Sequence, residues 1–270
     1  MPDIELSILL PALLAGLLVC ATHVPLGIVV LRRGIVFIDI AIAQIAGVGV
    51  VAADFAGWSD VTYLVQAAAL GAALTGALLL TWTERRWPEV QEGIIGSVFV
   101  LAATAQVLLL AGNPHGGEYL KDMLVGQILW VGYGQLAVIA PLSLLVCAAW
   151  FGLGQQRLGR LGFYLLFGLS VTASVQVVGV YLVFSTLIIP ALASRNATHQ
   201  LTSAYTVGAV GYFAGIVLST ITDLPTGALI VWTMAAIGLA AAGLTRTRRS
   251  DPPRASHATT SRHAAEPGPG

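Results

Sequence analysis

Eight long stretches of this 270-residue chain are almost wholly apolar, and of its thirteen basic and thirteen acidic residues only Asp39 falls well inside one of them, Asp54 lying at the end of its run. The stretches cover residues 6–31, 35–56, 61–83, 93–111, 133–152, 161–193, 201–221 and 225–245. Most are close to the roughly 20 residues that a helix needs to cross about 30 Å of hydrocarbon. A chain that is 57% apolar and 10% charged holds more hydrocarbon than one water-soluble core can hide. Within lipid the backbone must satisfy its own polar groups, which selects helices. The expected fold is an all-α integral membrane protein, a polytopic helix bundle.

Stretch 161–193 is too long for one ordinary crossing and short for two, and Gly179 and Pro190 interrupt it. A broken or re-entrant pair is expected there. Counting that pair as two gives about nine crossings, with the N-terminus outside and the C-terminus in the cytoplasm. Positive charge agrees with this orientation. Arg32, Arg33, Arg85, Arg86, Arg157, Arg160, Arg195 and the Arg residues from Arg246 onward fall inside, and only Lys121 falls outside. Asp3, Glu5, Asp54, Asp60, Glu118, Asp122 and Asp223 face outward, an acidic bias that favours cations at the outer mouth. Residues 112–132 read as an outer loop with a short interfacial helix, and Trp130 and Tyr133 at headgroup level. The domain division is a transmembrane domain over 1–245 and a disordered cytoplasmic tail over 246–270. The N-terminal Met1-Pro2-Asp3-Ile4-Glu5 is acidic where a secretory signal is basic, so the first stretch is read as a retained span.

Several function classes lose their chemistry at this stage. The sole lysine, Lys121, follows no glycine-rich loop, so the chain does not hydrolyse ATP through a phosphate loop. No His-Glu-x-x-His or nucleophile elbow is present, and Cys20 and Cys147 both sit in apolar segments, away from any thiolate zinc pattern. The basic residues are scattered over short turns and a tail, which builds no nucleic-acid groove. The chain is not expected to be an enzyme or to bind nucleic acid. Transport remains.

Asp39 is the sharpest residue. A carboxylate in a span costs roughly 2.5–3.5 kcal/mol at the helix centre and usually faces a pathway or a partner. Its alternative role is structural, held by the positive end of its own helix and by Arg32 or Arg33. His23 and Gln44 lie about 13–15 Å from the Arg32-Arg33-Gly34 turn, one on each flanking helix. An antiparallel hairpin of these helices brings them to one level. Pro25 leaves the carbonyl of Ala21 without its helical donor. Imidazole, amide and free carbonyl could together form a weak cation or proton site, or His23 could be a packing residue. Gln66, Gln106 and Gln176 read as interhelical hydrogen-bonding amides.

Five segments, in order, resemble the permease subunit of metal-ion ABC importers of the zinc, manganese and iron type. They are Leu31-Arg32-Arg33 with Asp39; Gly93-Ile94-Ile95-Gly96; Leu124-Val125-Gly126-Gln127-Ile128-Leu129; Gln176-Val177-Val178-Gly179-Val180-Tyr181-Leu182-Val183 running to Leu187-Ile188-Ile189-Pro190-Ala191; and Thr222-Asp223-Leu224-Pro225-Thr226-Gly227-Ala228. Arg32, Arg33, Gly179, Asp223, Pro225 and Gly227 thus count as structural motif residues. The resemblance implies a multi-pass protein of the plasma (cytoplasmic, inner) membrane, working as a homodimer with cytoplasmic ABC ATPase subunits and an extracytoplasmic substrate-binding protein. ATP sits on the partner, no cofactor is covalently bound, and a divalent metal ion is the cargo. A short helix after the Pro-Ala block contacts the ATPase in such families, which carries a coupling role onto residues 190–199, with Pro190, Ala191, Arg195 and Asn196 as its named residues.

This chain departs from the family pattern at informative places. Ala43 stands where the family commonly has a His four residues after the Asp, and Gln127 where it usually has Asp. The segment 151–162 is shorter than the family's acidic one. The Asp is kept and its usual partner is lost, so the resemblance carries fold and transporter class further than it carries the ion. His23 or Gln44 replaces the missing ligand, or the cargo is a more weakly held cation, a chelated metal or another small solute. Two other readings stay open: a non-conducting membrane interaction subunit, and an ion-gradient carrier using Asp39 and His23 as a proton relay.

Overall fold

The structure, a computed structural model, describes residues 6–58 and 61–250. These form ten helices and no strand: α1 Leu6–Arg33, α2 Ile38–Phe55, α3 Thr62–Arg86, α4 Gln91–Leu110, α5 Gly116–Val125, α6 Tyr133–Gly154, α7 Arg157–Val178, α8 Val180–Ala193, α9 Gln200–Thr222 and α10 Thr226–Ser250. Eight of them are long and apolar enough to cross a membrane; α8 is apolar but shorter, and α5 is the short helix expected in the outer loop. Arginine pairs close α1 and α3, where cations complement the negative end of the helix dipole. α6 and α7 form one hydrogen-bonded run that bends at Gly154 and Gly159, both with positive φ.

Stretch 161–193 resolves into the end of one full crossing and a shorter helix. Gly179, at φ 82° and ψ 162°, is the break, as the sequence suggests. Pro190 is not a break. It lies inside α8, buried, with its ring close to Gly208 of α9. In a membrane bundle the neighbouring helices hold a proline-containing helix together, which weakens the breaking effect seen in water. α10 runs through residue 246 to Ser250, and the rest of the tail expected over 246–270, residues 251–270, lies outside the described residues.

The first two helices depart from the hairpin expected of them. They are joined by a tight turn with Gly34 at φ 71°, yet they do not pack along each other as a hairpin. α1 packs against α8, α9 and the α6–α7 run, whereas α2 packs against α3 and α4. The tightest approaches explain why. A Cβ on Gly27 of α1 would lie 2.0 Å from the Leu187 carbonyl of α8, and one on Gly16 would lie 2.3 Å from the Tyr212 ring of α9. Small residues let those backbones approach closely, as expected where lipid supplies no hydrophobic drive between helices. α1, α2 and α7 are therefore largely buried, while α4, α6 and α10 present most of their surface outward.

Two polar and aromatic contacts finish the arginine-rich end. Arg32 donates to Gln200 Oε1 at the start of α9 over 2.7 Å. Arg33 lies 4.4 Å above the ring of Phe163, within a cluster that includes Trp150, Tyr164 and Phe167. At the opposite end, three of the sequence blocks meet. The segment at Val125 and Gly126 touches both the Gly179 break and Gly227 at the start of α10. Asp223 there caps α9 in the left-handed conformation at φ 55°, exposed, and Ser219 donates to Leu224 O while sharing a hydrogen bond with Thr226. Asp223, Pro225 and Gly227 thus shape the turn between the last two helices.

Candidate functional site

Asp39 occupies the first turn of α2 and is 1% exposed. Neither carboxylate oxygen has a hydrogen-bond partner. The structural alternative for this residue rested on the positive end of its own helix, where Asp39 does lie, and on Arg32 or Arg33; of these, Arg32 is bonded to Gln200 and Arg33 is stacked on Phe163. The sole ion pair among the described residues joins His115 and Glu118 in the outer loop. A buried carboxylate without a hydrogen-bond partner is costly. The turn leading to Asp39 is fixed from α4: the Phe37 amide donates to Glu92 Oε1 over 3.3 Å. Sequence reasoning passed over Glu92, although a carboxylate in the first turn of a span was a visible signal.

His23 and Gln44 sit in different parts of the bundle because their helices diverge. His23 is fully buried in α1. The Thr22 hydroxyl donates to Val19 O at 3.1 Å, and His23 Nδ1, 2.9 Å from that hydroxyl, lies 3.1 Å from the same carbonyl. Nε2 of the same ring is buried and has no partner. The Ala21 carbonyl freed by Pro25 is no spare ligand: the Tyr205 hydroxyl donates to it at 3.0 Å and the Cys147 thiol at 3.6 Å. The expected cluster of imidazole, amide and free carbonyl does not assemble.

Gln44 instead pairs across α2 and α4. Gln106 Nε2 donates to Gln44 Oε1 at 2.7 Å and to the Gln44 carbonyl at 3.1 Å. Gln66 likewise donates to Gln176, so the intramembrane amides are interhelical bonds as read from the sequence. Gln106 Oε1 remains buried and unpartnered, close to Gly47 and to Met123 Sδ, where a Cβ on Gly47 would meet them at 2.5 and 2.9 Å.

Above this pair lies a cavity of about 480 Å³ between α2, α5, α6 and α7. Ala46, Gly47 and Val50 of α2 form one wall, and Asp122, Gln127, Gln135, Thr172 and Gln176 bring polar groups to it. α2 therefore runs from Asp39 near the arginine-rich end to this cavity at the other, with Gln44 and Gln106 between them. Asp39 and Ala46 are seven residues apart, about 10 Å along the axis. Gln135 and Thr172 carry no motif of their own and were not readable as cavity residues. No group of three or more His, Cys, Asp or Glu side chains able to hold a metal occurs among the described residues.

The segment assigned to coupling divides in two. Pro190 and Ala191 are buried in α8, whereas Arg195 and Asn196 are exposed. Residues 194–199 form successive turns in place of the short helix expected there.

The model of the ABC 3 transport family matches this chain over residues 5–156 and 148–244. The chain belongs to the ABC 3 transport family. It is a transporter permease, multi-pass in the plasma membrane. Among curated relatives, the manganese transport system membrane protein MntC of Halalkalibacterium halodurans is 28% identical over 252 residues, covering 83% of both chains. A probable metal transport system membrane protein of Chlamydia muridarum is 25% identical over 184 residues, and the match spans 63% of that protein and 60% of this one. Among solved structures, PsaBC from Streptococcus pneumoniae in complex with Fab superposes with a TM-score of 0.71 at 19% identity, covering 88% of this chain and 91% of the other. A metal-chelate type ABC transporter in an inward-facing conformation gives 0.67 at 20% identity, covering 88% and 85%. At these identities the two structures establish the shared fold.

Proposed function

We propose that this chain is the membrane-spanning subunit of an ABC importer for a divalent metal, with Asp39 as its pathway carboxylate. The observation that carries the reading is the burial of Asp39 in α2 with both oxygens unpartnered. One chain supplies one such carboxylate, too few ligands for a hard or borderline cation. A homodimer that places two copies of α2 beside a shared axis doubles the set. A cytoplasmic ATPase contacts the turns at 194–199 through Arg195 and Asn196, and an extracytoplasmic binding protein delivers cargo at the opposite mouth. ATP binding and hydrolysis on the partner then shift the balance between outward and inward states. The manganese and metal roles of the named relatives support the cargo class, which could be zinc, manganese or iron.

A second reading has its own support. The outer cavity is many times larger than a bare ion and is lined with three amides, a hydroxyl, Trp130 and the single carboxylate of Asp122, which suits a chelated metal better than a naked one. One experiment separates the two. Proteoliposomes containing the chain, its ATPase and its binding protein are offered radiolabelled manganese or zinc, free or as a chelate. The importer reading expects uptake that depends on ATP and falls at least about tenfold in Asp39→Ala. Uptake by the chain alone, or unchanged uptake in Asp39→Ala, removes the mechanism or the site respectively.

A further inference from the structure

We propose that Glu92 is a positioning residue for Asp39, and that the start of α4 is the bracket that sets where this carboxylate stands. This role for Glu92 rests on the reading of Asp39 as the pathway carboxylate. An α-helix leaves its first amides without partners inside the helix, and a side-chain acceptor at the N-cap normally takes one of them. The N-cap residue of α2 is Phe37, which has no side-chain acceptor to offer. The acceptor comes from α4 instead. Half-buried Glu92 takes the Phe37 amide on Oε1 at 3.3 Å, and the Val36 amide faces the same carboxylate. Asp39 follows two residues later, in the first turn of α2, the part of a helix that frays first when its cap is lost.

The neighbouring residue ties the bracket to a third helix. Gln91 is buried, and its Nε2 donates to Leu80 O near the end of α3 over 3.0 Å. α3 and α4 have few contacts of their own, whereas both pack against α2. Gln91 and Glu92 therefore gather the end of α3 and the first turn of α2 at one point. The Asp39 carboxylate has no hydrogen bond to hold it, so its direction is inherited from the backbone of that turn. A binding group placed only by its backbone is sensitive to small shifts, because a productive site tolerates about 0.5 Å. A carboxylate is more than the cap requires: an amide oxygen would accept from Phe37 equally well, and Glu92 Oε2 is buried without a partner. Glu92→Gln therefore separates the bond from the charge.

The test measures ATP-driven uptake of radiolabelled manganese in proteoliposomes holding the chain, its ATPase and its binding protein, beside thermal unfolding of each purified variant. Glu92→Gln keeps the acceptor and is expected to transport close to wild type. Glu92→Ala is expected to lower uptake about tenfold while the chain stays folded. In an Asp39→Asn background Glu92→Ala is expected to lower the remaining uptake no further, because the group that it positions is gone. Glu92→Gln as low as Glu92→Ala overturns the proposal, since the charge and not the bond is then what matters. So does a loss that multiplies with that of Asp39→Asn, or one that follows the loss of folded chain. Full uptake in Glu92→Ala beside a loss in Asp39→Asn overturns the positioning role alone, whereas full uptake in Asp39→Asn removes the pathway reading beneath it.

Discussion

Gly126 and Gly179 meet backbone to backbone: a Cβ on Gly126 would fall 2.2 Å from the carbonyl oxygen of Val178, and one on Gly179 would fall 2.4 Å from the amide nitrogen of Gly126. Both sit at positive φ, 70° with ψ 172° and 82° with ψ 162°, a region open almost only to glycine. Two sequence blocks more than fifty residues apart are thus halves of one junction.

Alanine at either position is expected to disrupt that junction. Each substitution carries about 1–3 kcal/mol of backbone strain, with the steric clash added. Thermal unfolding of the detergent-purified chain checks this. The double variant is expected to fall short of the sum of the singles, because one displacement of the 125–127 segment relieves both clashes. Strict additivity would show that the two glycines act separately.

Asp39 without a partner predicts a separation of stability from transport. Asp39→Asn removes the buried charge and keeps the shape, so the folded state is expected to be as stable as wild type or more so. ATP-driven uptake is expected to fall at least about tenfold. Arg32→Gln and Arg33→Gln, whose side chains are engaged elsewhere, should leave the behaviour of Asp39 unchanged. If Arg33→Gln reproduces the Asp39→Asn phenotype, the two form a functional pair after all.

The Gln44–Gln106 bond predicts a measurable coupling. Gln106→Leu and Gln44→Leu, singly and together, form a double-mutant cycle whose interaction energy is expected at about 0.6–1.7 kcal/mol, the range found for interhelical hydrogen bonds in membranes. Equilibrium unfolding in mixed detergent measures it. A coupling of zero would mean that each amide finds another partner.

Pro25 and Tyr205 predict a compensation. Tyr205→Phe leaves the Ala21 carbonyl with only the weak thiol donor of Cys147 and is expected to cost about 1–2 kcal/mol. Pro25→Ala restores the helical N–H that bonds this carbonyl. In that background Tyr205→Phe is expected to be close to neutral. An equal penalty in both backgrounds would show that the hydroxyl acts through packing alone.

The crossings were legible because apolar runs of fixed length leave a chain in lipid few choices, and because Arg32, Arg33, Arg85 and Arg86 mark where helices end. Gly179 was legible for a local reason, the loss of Cβ inside an apolar run. The failures were all matters of pairing. Short connection suggested that α1 and α2 pack together, yet Gly27 and Gly16 turn α1 toward α8 and α9, and no local pattern announces which distant helix a glycine receives. Pro190 misled because its effect depends on neighbours that hold α8 straight. Asp39 stood out as a charge in lipid, while Gln135 and Thr172 became cavity residues only once α6 and α7 were folded side by side.

The fourteen residues of α8 span about 21 Å, well short of a bilayer. One end is pinned at the glycine junction and the other feeds the exposed turns that carry Arg195 and Asn196. Such a strut has little room to compress, so a push delivered at the turns is delivered also, with small loss, to the floor under Val125 and Gly227. Whatever leans on the protein from below is mechanically in touch with the rim above.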